Sequence, residues 1–532
     1  MNKQPVVLIG FGEFDNLGIG YLASVLNENG YQSEIIDFSR GKKQILAKLL
    51  KLKPKIAGFC VIYENYLNEF AKLIGFLRSS GINCHFTAGG HYASLRYKEI
   101  FEFIPSLTSV ARFEGEYTFL ELVNSVYSGR DWRKISGLAY KDDGRIISNC
   151  LRPLEIDLDK FPYPVRTLPL KEYALKKKYA TILAGRGCIY DCSFCSTHEF
   201  YKQSSGPVKR IRRPEMVVQE MEFLYRKQNC SVFLFQDDDF PVKPSSELGW
   251  IDKFCLSLRQ YKLEDKIMWK INCRPDEIDS DRFIMMKEHG LFLIFLGIED
   301  GSDSGLKRLN KHMTISKSIE GVNILKNIEI GFDYGFMLFQ PSTTFKSLKE
   351  NLCFLRKICS DGYTPLTFLK IMPYYETRIE KELSVEGRLK GKPGFLDYDF
   401  YDELLNNYYN YVMNIFLGWL RSSDGLSNIS KWARNYLSVF SHFYEMTPEV
   451  RTISSDVRKF TSQSNIFILD TMEELAYKFE TGKYDDTQSG ELKVYRENVK
   501  EKHDQFKKQI IKLVKEIERI VEYQRIVQLV GY

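Results

Sequence analysis

No apolar run in this 532-residue chain is long enough to cross a membrane as a helix; the longest, Leu291 to Ile298, covers eight residues where a span needs ~20. Neither sign of charge dominates. Lys and Arg number 75 against 69 Asp and Glu, a net +6 that is too small to point to nucleic acid or a membrane surface as a partner. There is no secretory h-region or small-residue cleavage site, since MNKQPVVLIGFGEF runs directly into a strand-like segment, which predicts a cytoplasmic location. In that compartment the 11 cysteines stay reduced, so a tight group of them is expected to hold metal and not to form disulfides. Repeats and low-complexity tracts are also lacking. With 44% hydrophobic and 27% charged residues the chain is globular, and at about 150 residues per domain its length predicts roughly three domains.

The first 125 residues alternate short β-rich runs with helical ones: Val6–Ile9, Ser33–Phe38, Lys55–Ile62, His85–Ala88 and Ser109–Phe113 are the strand candidates. Such alternation specifies an α/β fold, a doubly wound parallel sheet of flavodoxin or Rossmann type with helices on both faces. Ligands of these sheets sit at the carboxyl ends of the strands, where this sequence places Gly10, Gly12, Gly89, Gly90 and Gly115. Residues 126–175 read as a hairpin turning at Asp143-Gly144 followed by a proline-bearing link. A second series follows over 176–385, with strands expected at Ala180–Ala184, Ser231–Phe235, Met268–Asn272, Phe292–Gly297, Asp333–Phe339 and Thr367–Met372. Six βα units predict a full or partial (β/α)6 barrel with its chemistry at the carboxyl ends of the strands. From 386 to 532 aromatic-rich helical stretches replace the strands. Near the end Ile510, Val514, Ile517 and Val521 share one face of an amphipathic helix, expected to pack on the body or on a partner helix.

The sharpest feature is GRGCIYDCSFCSTHEF, which carries Cys188, Cys192 and Cys195 just beyond the first barrel strand. A 4Fe-4S cubane needs one ligand for each of four irons, so three thiolates leave one iron open to chelation by a small molecule. The competing arrangement is a closed Cys3His zinc site completed by His198. The other cysteines are dispersed and read as small buried hydrophobes.

This spacing resembles the radical S-adenosylmethionine (SAM) superfamily, with Phe194 in the aromatic position before the last cysteine. LGIEDGS (Leu296–Ser302) is similar to the family's GIESGS-type fourth strand end, and IMPYYETRIEKEL to its sixth-strand segment. The resemblance implies a cluster held by the three cysteines, SAM on the open iron, and a 5′-deoxyadenosyl radical formed when a reduced cluster cleaves SAM. An electron donor such as flavodoxin or ferredoxin is implied with it. Phe194 would then border the adenine, and Asp237 and Asp238 would lie near the SAM amino group. Glu299 would accept from ribose hydroxyls or serve as a strand-end ion pair. Arg274 would clamp a carboxylate or play a structural part. Gln340-Pro341-Ser342 departs from the family's glycine-rich turn after strand five.

A leading α/β domain before such a barrel resembles the cobalamin-binding module of B12-dependent radical SAM enzymes; LGIGYLASVLNENGYQSEIIDF, AGGHYAS and RFEGEYTFLEL are similar to its successive pieces. The resemblance implies corrinoid contacts at Gly10, Gly12, Leu17, Tyr63, Glu64, Gly89, Gly90 and Glu116. The D-x-H-x-x-G motif of some cobalamin proteins is missing, because no histidine precedes His85. His91 is the alternative cobalt ligand, although a histidine after a double glycine also reads as a turn residue. Together the two modules imply methylation of an unactivated carbon of a small-molecule, natural-product or peptide substrate, with SAM used both to methylate the corrinoid and to make the radical. The alternatives are a radical rearrangement, cyclisation or oxidation without methyl transfer, and a non-enzymatic iron–sulfur or corrinoid sensor.

Overall fold

The β-rich runs at the start of the chain become β1 (Val6–Gly10), β2 (Ser33–Asp37), β3 (Ile56–Cys60), β4 (His85–Gly89) and β5 (Ser109–Ala111), all parallel, in the order β2-β1-β3-β4-β5. β1, VVLIG, is buried at every position, as a parallel strand covered on both faces must be. The strand order reverses between β1 and β3, which opens the ligand crevice at their carboxyl ends. The helix Leu17–Glu28 begins there, started by Asn16, whose side-chain oxygen accepts from the Ile19 N–H at 3.2 Å. This computed structural model describes residues 4–12, 16–166, 169–243, 249–484 and 490–530, with side chains described as far as Tyr523. Glu13, Phe14 and Asp15, in the loop expected to face a corrinoid, lie outside the described residues.

The hairpin forms where Asp143 and Gly144 take positive φ (46° and 77°), joining β6 (Leu138–Asp142) to β7 (Arg145–Ser148). β6 runs antiparallel to β5, so the first sheet has seven strands. β8 (Lys178–Ile182) and β9 (Gly185–Arg186) lead into the cysteine loop, and β9 pairs antiparallel with β10 (Arg210–Ile211).

The chain forms two compact units from interleaved segments. Met1–Leu170, Ala180–Glu220 and Met372–Tyr398 make one; Lys171–Tyr179, Met221–Ile371 and Asp399–Tyr532 make the other. In the second unit β11 (Cys230–Phe235), β12 (Met268–Cys273), β13 (Leu291–Glu299) and β14 (Gly331–Phe336) lie side by side and parallel, in the order β14-β13-β12-β11. Phe235, Trp269 and Phe254 pack together on one face of this sheet. The sixth expected strand, Thr367–Met372, is reduced to one bridge between Lys370 and Phe339, flanked by Leu369 N–H to Phe336 O at 2.8 Å and Ile371 N–H to Phe339 O at 2.9 Å. Pro365 and Pro373 bracket it and keep it from extending.

The C-terminal helical expectation needs one correction. Leu389–Lys392 and Phe395–Tyr398 form an antiparallel hairpin, because Pro393 and Gly394 (φ 89°) turn the chain between the paired Lys392 and Phe395. The helix Glu403–Leu420 starts only after Asp402, whose carboxylate accepts from the Leu404 N–H at 2.9 Å. Three more helices follow, Leu426–Phe443, Pro448–Glu480 and Glu491–Val530. The amphipathic face packs on the body: Ile517 and Val521 share a core with Leu437, Phe440, Val450, Ile453 and Leu293. Among the described residues no helix is long and apolar enough to cross a membrane.

Candidate active site

β9 gives way to the cysteine loop at Gly187, where φ is 80° and a Cβ would fall 1.9 Å from the Val208 carbonyl oxygen; only glycine lets the chain turn here. Cys188, Cys192 and Cys195 follow, all half-buried, and none of the 11 cysteines is in a disulfide. Phe194 is half-buried between the last two. The Cys195 N–H donates to Cys192 O at 3.1 Å, and the buried Ser193 offers its carbonyl to the Ile379 N–H at 3.2 Å. Two further ties fix the loop. Ser196 Oγ lies 3.0 Å from His91 Nε2, and the His91 ring stacks on Phe200 at 4.5 Å. Burial pushes the His91 pKa down to about 4, so the ring is neutral near pH 7. Of the two roles open to His91, the structure gives it that of a post between the Gly90 turn and the cysteine loop.

Arg186, just before the loop, donates to Glu114 Oε1 at 3.2 Å and to Glu116 Oε1 at 2.7 Å, while Arg210 donates to Glu114 Oε2 at 2.9 Å. Burial works against the Arg186 charge, but Glu116 and Glu114 outweigh it and raise its pKa. This corrects the expectation for Glu116: its carboxylate is spent on Arg186. Among the described residues no three His, Cys, Asp or Glu are grouped to hold one ion, and this applies to Cys188, Cys192 and Cys195 with or without His198.

The other expected corrinoid contacts gather at the carboxyl edge of the first sheet. Gly10 ends β1 where a Cβ would meet Ile19 Cδ1 at 2.3 Å, and the Gly12 N–H donates to Asp37 at 3.3 Å. Leu17 packs on the core of Tyr21, Val25, Leu158 and Phe161. Gly89 O accepts from the Val61 N–H at 2.8 Å, and Gly90, at φ 102°, passes so close that a Cβ would sit 2.9 Å from Val61 O. Tyr63 is 57% exposed. Glu64 beside it is 5% exposed, and its Oε1 has no hydrogen-bond partner. Burial first, then the like charge of Glu99, pushes its carboxyl up to about 7 against the opposing pull of Tyr375 and Arg96. Arg96 is shared with Glu380 at 3.2 Å and Glu376 at 3.6 Å. Burial raises the Tyr374 phenol, with Glu64, Tyr63 and Cys195 adding to the shift.

In the second unit, charges mark the strand ends. Asp237 is buried, with its backbone oxygen taking the Asn272 amide at 2.9 Å, whereas Asp238 is exposed. Arg274 does not fit the carboxylate-clamp expectation. Its planar fork closes on Asp276 at 2.9 and 3.3 Å, it also donates to Lys311 O, and its own N–H goes to Glu277 at 3.1 Å, so it fixes the turn after β12. Glu299 ends β13 at φ 71°, a strained position for a non-glycine residue, with its carboxylate 3.7 Å from Lys311 Nζ. Burial raises its pKa while Lys311 and then Arg274 oppose the rise. A Cβ on Gly297 or Gly335 would come within 2.9 Å of the Glu299 carboxylate, so these two glycines make its cradle. Gln340 hydrogen-bonds Asp300, a link that explains a polar residue where the family has a glycine-rich turn.

Two family models match the chain, the B12 binding domain over residues 6–123 and the Radical SAM superfamily over residues 182–354. The chain belongs to the radical SAM enzymes that carry a B12-binding domain. The solved structure of the cobalamin-dependent SAM radical enzyme OxsB, with aqua-cobalamin and SAM bound, shares the fold at a TM-score of 0.68, covering 94% of this chain and 84% of that one at 18% identity. An uncharacterized methyltransferase of Pyrococcus horikoshii is 28% identical over 68% of this chain and 77% of its own length. The anaerobic magnesium-protoporphyrin IX monomethyl ester cyclase of Rubrivivax gelatinosus is 26% identical over 76% of this chain and 74% of its own.

A 4Fe-4S cluster, SAM and cobalamin are the cofactors of this family, and the residues present suit all three. The cysteine trio supplies one soft thiolate per iron and leaves a fourth position. The Glu299 carboxylate at the end of β13 is of a type that accepts from hydroxyls, and the strand-end glycines with the unsatisfied Glu64 Oε1 suit a large amide-fringed macrocycle. Sequence reasoning missed Lys311, Tyr374 and the carboxyls around Glu64. Their partners lie far away along the chain, and no local spacing announces them.

Proposed function

We propose that this enzyme transfers a methyl group to an unactivated carbon of a small-molecule or natural-product substrate. When bound, the cluster with SAM supplies one-electron chemistry able to remove a substrate hydrogen atom, and cobalamin supplies the methyl group. The observation that carries the reading is the joining of the cysteine loop to the corrinoid-side strand ends within one compact unit, through His91 to Ser196 and through Arg186, just before the loop, to Glu114 and Glu116. A methyl donor and a radical source need to address one carbon, and this unit carries residues for both.

In this reading Cys188, Cys192 and Cys195 hold the cluster, and Phe194 borders the adenine of SAM. Asp237, Asp238 and Glu299 orient SAM, with Lys311 paired to the Glu299 carboxylate. Gly10, Gly12, Gly89 and Gly90 let the macrocycle approach the sheet edge, Leu17 and Tyr63 flank it, and Glu64, holding its proton near neutral pH, donates a hydrogen bond to an amide of its fringe. A flavodoxin or ferredoxin delivers the electron. The identity to a ring-forming cyclase favours a second reading, oxidative cyclisation without methyl transfer. Product counting on anaerobically reconstituted, cobalamin-loaded enzyme separates the two. Equal S-adenosylhomocysteine and 5′-deoxyadenosine are expected for methyl transfer; 5′-deoxyadenosine without S-adenosylhomocysteine would establish the cyclase-type reaction instead.

A further inference from the structure

The uncovered face of the second sheet carries groups that cofactor binding leaves unused. The register sets Asn272 beside Phe295 and Phe295 beside Asp333, and one step further along it sets Gly297 beside Gly335. Their alternates Ile271, Ile294, Leu296 and Tyr334 are buried on the other side. Phe295 lies mid-strand with a neighbour on each edge, yet it is 40% exposed, and Leu369 on the adjoining segment is 45% exposed. A phenyl ring in the centre of a sheet is ordinarily covered; the glycine step beside it is taken up by the Glu299 carboxylate, 2.9 Å from where a Cβ would stand, while the ring itself is left exposed.

One cation addresses the same place. Lys270 Nζ donates to Asn272 Oδ1 at 2.6 Å and lies 5.8 Å from the Phe295 ring centroid. An ammonium has three N–H donors, and one satisfies Asn272. Burial lowers the Lys270 pKa and Asp333 supports it. Asp333 is itself committed to Arg434 at 2.8 Å and also feels Lys431, so cations outnumber the carboxylate they share.

We propose that this face is the substrate seat and that it selects an amphipathic anion, whose apolar body lies on Phe295 and Leu369 and whose carboxylate or phosphate meets Lys270. The inference deepens the reaction proposed above and rests on it, naming the substrate class of that enzyme. A model ligand tests it on the purified full-length protein: 8-anilinonaphthalene-1-sulfonate, an aromatic anion, compared with uncharged N-phenyl-1-naphthylamine, both followed by fluorescence titration. Wild-type protein is expected to bind the sulfonate at one saturable site. Lys270→Met should weaken the sulfonate about tenfold, the worth of one hydrogen bond to a charged group, and change the neutral probe less than about twofold. Phe295→Ala should weaken both probes. Lys270→Gln, which keeps a polar partner for Asn272, repeats the charge test if the methionine variant melts early. Unaltered sulfonate affinity in both Lys270 variants would overturn the anion contact, and unaltered binding of both probes in Phe295→Ala would move the seat elsewhere. Neither probe engages iron, SAM or cobalt, so a failure here is distinct from a failure of product counting.

Discussion

The chain builds two parallel sheets by the same alternation of strand and helix but finishes their carboxyl edges with different chemistry. The first sheet ends in glycine at β1 and β4, and its buried acid, Glu64, has an oxygen that nothing satisfies. The second ends in acid–base partners that answer one another, Arg274 to Asp276 and Glu299 to Lys311. A flat, glycine-lined edge suits a bulky macrocycle held over a broad surface. A charged edge suits a small zwitterion such as SAM, which must be held in one orientation. In the proposed reading one fold principle serves two cofactors, and the difference lies in the last residues of each strand.

The largest expected effect separates the two edges outright. Cys192→Ala removes one thiolate from the first unit and should abolish iron binding and SAM cleavage while leaving cobalamin uptake intact, as read by metal analysis and absorbance after anaerobic reconstitution. If iron is retained and SAM is still cleaved, the cluster assignment fails. Gly187→Ala comes next. Its Cβ would lie 1.9 Å from a backbone oxygen at positive φ, so the loop must move, at a cost of about 4 kcal/mol or more. Lower iron occupancy and an earlier urea midpoint are expected; a variant that holds iron and stability like the wild type would show that the turn is not constrained.

Lys311→Met probes the charged edge. Removing one partner of a buried pair strands the Glu299 carboxylate, and about 3 kcal/mol of stability should be lost together with weaker SAM binding by calorimetry. Glu299→Gln in the same background should recover part of the stability without recovering SAM affinity, since the stranded charge is then gone but the acceptor is altered. A Lys311→Met protein as stable as wild type would mean that the pair contributes nothing.

Local patterns made the first edge and the cysteine loop readable from sequence, because C-x3-C-x2-C and the strand-end glycines each act within a few residues. Reading fell short where a local partner competed with a distant one. Of the two readings of Arg274 the structural one is met, since Asp276, two positions on, matches its fork; Glu116 was expected to contact a corrinoid, yet Arg186 arrives from another segment to bind it. The Pro393-Gly394 turn likewise overrode an aromatic, helix-like stretch, since a tight turn with a positive-φ glycine leaves no helix to propagate. The environment of Glu64 was out of reach for the same reason, as Glu99 and Glu380 come from a different helix and a different segment of the chain.

That environment gives the smallest effect and the one of opposite sign. The folded Glu64 carboxyl keeps its proton up to about pH 7, whereas an unfolded one releases it near 4.5. The folded state then binds more protons between those values, and its stability falls as pH rises through that window. The full difference corresponds to at most about 3 kcal/mol, and Glu64→Gln, which cannot ionise, should escape most of it. The groups facing this carboxyl are Glu99, Glu380, Arg96 and Tyr375, and none of them is altered by the substitution. Urea denaturation of the cofactor-free chain should show the variant matching wild type near pH 4.5 and exceeding it by about 1–3 kcal/mol at pH 8. Lys311→Met loses stability by stranding a carboxylate, and Glu64→Gln gains it by removing one already stranded. A gain that did not depend on pH, or no gain at all, would mean that Glu64 is solvated or paired like its counterpart on the second sheet, and the contrast between the two edges would fail at its sharpest point.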